Sequence, residues 1–191
     1  MMRCITSIKN KNVSLFTSLF IVFVISLILC FISKGVENRK PFHKKYCEKN
    51  TLCPTYPILC VRFLHYFATF YFCLYYFIFN TKYDIYYLCL YVILVLHWLV
   101  TNDCVLSNWE MSYYSKKQTL GGTPLLHPHF RVFAGDFTDY MIMFQGIFMV
   151  ASFILVIQRF HYKYYNYLFG VTILFLQAYL MLKDRINIFA K

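Results

Sequence analysis

Charge is what this sequence has least of. Asp, Glu, Lys and Arg make up 14% of its 191 residues, where soluble domains carry about a quarter. With apolar side chains at 60%, that shortage excludes the ordinary soluble class. Glycine is also scarce, at 6 residues. No Gly-rich phosphate loop is present, and neither is a G-x-S-x-G, an H-E-x-x-H or a paired-aspartate motif. The 8 cysteines form no C-x-x-C and no repeated zinc-ligand spacing. Acidic residues number only 8 against 19 basic ones, a net charge of +11. The positive charges lie almost wholly between apolar runs, where a membrane protein sets Lys and Arg against headgroups. A nucleic-acid-binding domain would carry a contiguous basic face instead. The expected partner is therefore a lipid bilayer, and nucleic acid is not expected.

What the chain does have is aromatics. Phe (21) and Tyr (18) dwarf Trp (2). Phe, Tyr, Ile, Lys and Asn all have A/T-rich codons, so part of this usage points to an A/T-rich genome; a parasite, an organelle or a large DNA virus fits.

Five apolar runs predict five spans in an all-α integral membrane protein. Val13–Ser33 carries no charge and at 1.5 Å per residue reaches roughly 31 Å, enough for a hydrocarbon core. It is longer than a signal h-region and ends without a small-x-small site, so it is expected to stay as an anchor after a tail, over 1–33. A basic loop over 34–57, punctuated by Pro41, Pro54 and Pro57, reads as a headgroup-contacting linker. Spans at Ile58–Phe79 and Tyr83–Thr101 make a transmembrane hairpin over 58–101. Residues 102–138 are a polar loop with a short interfacial helix, about 108 to 117. The helix is expected to rest on Trp109, Tyr113 and Tyr114. Ser107 and Glu110, in S-x-x-E form, are its capping box. Asp136, Thr138 and Asp139 are candidate caps for a fourth span at Tyr140–Ile157. A turn over Arg159–Lys163 and a fifth span at Tyr164–Leu182 complete a second hairpin with a basic tail, over 139–191. His127 and His129 around Pro128 read as incidental.

Lys and Arg split six to twelve between the two sides of this layout, Arg62 set aside. The richer side holds both long loops and the C-terminus, so it is expected in the cytoplasm with the N-terminus outside. Cys47 and Cys53 would pair only if their loop were lumenal; the charge rule puts it in a reducing compartment.

The stretch His97–Glu110 is the densest in polar and reactive groups. If the 58–101 hairpin turns about Thr81, His65 and His97 are equidistant from its centre and lie at one depth, roughly 8–11 Å inside the long-loop interface. Arg62, His65, Tyr66, Thr69, Cys73 and Tyr76 recur at helical spacing as one polar stripe. His97, Thr101 and Cys104 also share a face. Ionisable groups in a span face the bundle. These patterns predict a polar cluster of Arg62, His65, His97, Asp103, Cys104 and Glu110.

Three readings of that cluster stand side by side. In the structural one, Arg62 pairs with Asp103 or Glu110, and the histidines bond across the hairpin. In the second, His65 and His97 ligate a metal ion or haem beside Cys104, although glycine is scarce for a porphyrin pocket. In the third, Asp103, Cys104 or Glu110 is a base or nucleophile in a transport path or a lipid-modifying site.

The run Cys104-Val105-Leu106-Ser107-Asn108-Trp109-Glu110 resembles the C-x-L-S/T-x-x-E signature that follows a histidine-bearing span in some uncharacterised small multipass membrane proteins of bacteria and large DNA viruses. The likeness covers about fifteen residues, and Val105 stands where a proline is usual. It implies a multipass membrane protein and no particular activity. The expectation is a non-enzymatic structural or assembly component of a membrane, a viral one included, with no cofactor. Its neighbours would be other membrane or capsid proteins.

Overall fold

Ser14 opens the first helix by accepting the Thr17 N–H on its Oγ at 3.1 Å, the N3 donor that an N-cap satisfies. In the computed structural model, residues 13–39, 55–101, 104–113, 137–159 and 170–179 are described. Helix α1 runs Leu15–Arg39, past the expected end at Ser33. Charge sets where a span leaves the bilayer, not where its helix ends, and α1 continues through Lys34 and Glu37. Helix α2 spans Thr55–Ile78, with Pro57 in the first turn, where its missing N–H costs no bond. Residues 34–39 and 55–57 of the expected basic loop are thus helical. Asn80 accepts the Lys82 N–H at 3.1 Å and caps a 3-10 turn over Thr81–Tyr83. Helix α3 follows over Asp84–Thr101, α4 over Val105–Ser112, α5 over Thr138–Arg159 and α6 over Gly170–Tyr179.

Among the described residues all regular structure is helical. Four helices are long and apolar enough to cross a membrane: Leu15–Val36, Tyr56–Ile78, Thr81–Thr101 and Tyr140–Arg159. Of the expected fifth span only Gly170–Tyr179 is described; its remainder lies outside the described residues, as do Asp136, His127, His129, Cys47 and Cys53. Thr138 begins α5 and is buried.

Half of the apolar window of α2 is buried, against 22–28% in the other three, so α2 is the helix around which the others gather. It meets α1 through small side chains. Ser18, Val22, Ser26, Cys30 and Ser33 are all buried and recur every third or fourth residue, which lets two backbones approach closely. Ser18 Oγ donates to Ile78 O at 3.0 Å, and Cys30 Sγ to Leu59 O at 3.4 Å. The order of these contacts makes α1 and α2 antiparallel.

The core beyond that seam is aromatic. Tyr87 stacks on Tyr75 with ring centroids 4.1 Å apart, and Tyr91 on Phe153 at 4.2 Å. The Tyr87 hydroxyl donates to Phe72 O at 3.2 Å. Tyrosine fills such a site at low cost when its hydroxyl reaches an acceptor. Helix α5 lies along α2 in the same direction: Gln145 Nε2 donates to Thr69 Oγ1 at 3.2 Å, and Tyr76 N to Ser152 Oγ at 3.4 Å. Helix α6 is held by a buried hydrogen bond from the Tyr91 hydroxyl to Gln177. It approaches α5 at Gly170, where a Cβ would meet Ile157 Cδ1.

Candidate functional site

The polar stripe on α2 turns inward from Arg62 to Cys73, and Tyr76 at its end is half-buried. Arg62, His65, Tyr66, Thr69 and Cys73 are all buried, as the cost of an ionisable group facing lipid requires. Arg62 has no exposure at all. Its Nε donates to Glu110 Oε1 at 2.7 Å, its Nη2 lies 2.7 Å from the same oxygen, and its Nη1 donates to Ser33 Oγ at 3.3 Å. One guanidinium thus ties α2 to α4 and to α1. The Tyr66 hydroxyl bonds to Ser33 beside it.

Glu110 is fully buried, and this corrects the capping box. The residue at the N-cap of α4 is Cys104, in an extended conformation and with no side-chain cap bond. The helix starts at Val105, so Ser107 lies inside it, buried. The S-x-x-E pattern is local, but an unpaired Arg62 in the same interior outweighs one cap bond, and Glu110 goes to the arginine. Trp109 points outward, 57% exposed, on the opposite side of the short helix. Residues 114–117 of the expected interfacial helix lie outside the described residues.

The remaining candidates separate. His65 is buried and sets Nε2 at 3.6 Å from Cys104 Sγ. His97 is half-buried and bonds within its own helix: Thr101 Oγ1 donates to His97 O at 2.8 Å and lies 3.5 Å from Nε2. The two histidines therefore have different partners. Asp103 lies outside the described residues. Among the described residues no group of three or more His, Cys, Asp or Glu is placed to hold a metal ion.

A second ion pair sits at the other end of α2, and the sequence reading missed it. Arg159, expected in a turn, is in the last turn of α5. Its Nε donates to Asp84 Oδ2 at 2.8 Å and its Nη1 to Tyr76 O at 2.9 Å. Nη2 reaches the other carboxylate oxygen, making the fork that arginine forms best. The guanidinium also lies over the Tyr76 ring, 4.9 Å from its centroid. Asp84 is buried in the first turn of α3, where the helix dipole favours an anion. The signal was available: Asp84 and Arg159 border the two short turns that the expected layout puts on one side of the membrane.

Helices of bilayer-crossing length, gathered on a central one and pinned by an arginine–carboxylate pair near each end, buried at Arg62 and part-buried at Arg159, define a helical membrane protein. No family model, no curated protein and no solved structure matches the chain.

Proposed function

We propose that this is a five-span membrane protein of two hairpins and an interfacial helix, with a structural or assembly role in its membrane, a viral membrane included. Its N-terminus lies outside and its long loops in the cytoplasm. The observation that carries this reading is the use made of Arg62. A guanidinium at that depth could line a water-filled path, but its bonds go to Glu110 on α4 and Ser33 on α1, which supports a role in holding helices together. The outward faces suit lipid and neighbouring membrane proteins: Phe16 is 79% exposed and Val100 80%.

Two measurements test it. Cross-linking in intact membranes should recover the chain in assemblies larger than itself; a chain that stays monomeric at native abundance counts against an assembly role. An absorbance spectrum and metal analysis of the purified protein should show neither a Soret band nor stoichiometric metal. Either one would replace the structural reading with a redox or metal-binding one built on His65 and His97.

A further inference from the structure

Cys104 is set apart from the other described cysteines. It lies just past the C-terminal end of α3, at the N-cap of α4, and is half-buried. Its thiol makes no capping bond to α4 and lies 3.6 Å from Nε2 of His65, an imidazole held at 6% exposure. A thiol and an imidazole within hydrogen-bond reach are the elements of an activated sulfur nucleophile. The start of an eight-residue helix adds partial positive charge where a thiolate would form. Cys104 follows the C-terminal end of a helix long and apolar enough to cross a membrane, and Val100 in the last turn of that helix presents an exposed apolar side chain. Electrophiles that gather at a membrane surface carry an apolar tail and a polar reactive head, as acyl thioesters do. Cysteines at span ends are the ones that take fatty acyl groups.

We infer that Cys104 acylates itself from a long-chain acyl thioester, with His65 as the proton acceptor. In the step, Sγ attacks the thioester carbonyl and the thiol proton passes to His65 Nε2, which requires the Nδ1–H tautomer. The Sγ–acyl bond forms as the donor's carbon–sulfur bond breaks. His65 returns the proton to the departing thiolate, so the products are an acylated Cys104 and a free donor thiol, with no net redox change. The inference is independent of the structural role proposed above and survives that role's failure.

Palmitoyl-CoA is the probe, added to the full-length protein in phosphatidylcholine vesicles, with hydroxylamine-sensitive label mapped by peptide mass. In the wild type, Cys104 should be labelled ahead of Cys60 and Cys89, both of which are more exposed. That map needs no variant to fold. His65→Asn should slow labelling of Cys104 by at least about tenfold, less than the usual range for a positioned base, and Cys104→Ser should remove it. Label distributed by exposure alone, or a His65→Asn rate equal to wild type, overturns the inference.

Discussion

A guanidinium with no exposure persists only as one half of a pair, and Arg62 finds its carboxylate in Glu110. Removing either partner strands the other. Glu110→Gln and Arg62→Met should each cost about 3–5 kcal/mol, and the double variant should lose clearly less than the two single losses combined. Thermal melting of all four proteins in detergent completes the cycle; additive losses would say that the pair is not coupled. The sequence carried half of this. Helical spacing from Arg62 to Tyr76 placed the stripe inside, because burial follows periodicity. It could not choose between Asp103 and Glu110, since that depends on where α4 starts, and S-x-x-E suggested a start too late. For Arg159 the error was of another kind. A charge next to an apolar run looks like a loop charge unless its partner is known, and Asp84 lies 75 residues away.

The seams between elements differ in chemistry, and each makes its own demand. The α1–α2 seam is serine and small apolar residues, invisible to a hydropathy count because α1 reads as apolar all round. The seam between α3 and α5 is tyrosine and phenylalanine, where the aromatic bias of the sequence proves to be packing as well as codon usage. The seam to α6 includes a buried hydrogen bond between Tyr91 and Gln177, both almost without exposure. Tyr91→Phe leaves the Gln177 amide unsatisfied and should cost about 1–3 kcal/mol. Adding Gln177→Leu replaces both polar groups and should recover part of that loss. Chemical denaturation in mixed micelles reads both; a double variant weaker than either single one would mean that Gln177 has a second buried partner.

At the scale of the molecule, each successive long helix reverses the last. Helix α1 is antiparallel to α2, α3 runs back along α2 through Tyr87 and Phe72, and α5 runs with α2 through Thr69 and Gln145. Approximate span positions were legible from apolar run lengths; neighbours across the bundle were not, because packing order depends on contacts between side chains far apart in sequence. With α6 as a fifth span the chain crosses an odd number of times. Epitope tags at the two termini should then be reached from opposite sides of an intact membrane, the N-terminal one from outside. Both tags on one side would remove α6 from the spans, and a cytoplasmic N-terminus would invert the charge rule.

The reach of Arg62 also has a consequence in time. Helix α2 has the lowest mean hydropathy of the four long helices, 1.4 against 1.7–2.9, and it carries in its second turn an arginine, a residue that costs about 2.5–3.5 kcal/mol against insertion at mid-bilayer and less nearer the interface. The carboxylate that offsets this charge is made 48 residues later. At roughly 5–20 residues per second of synthesis, Arg62 therefore leaves the ribosome several seconds before Glu110 does. Chains truncated and released after Thr101 should leave α2 poorly inserted by glycosylation mapping, and chains released well beyond Glu110 should insert it fully. In the short chain, Arg62→Leu should restore insertion without waiting for the rest. Equal insertion at both lengths would mean that α2 enters the bilayer unaided and acquires its partner afterwards.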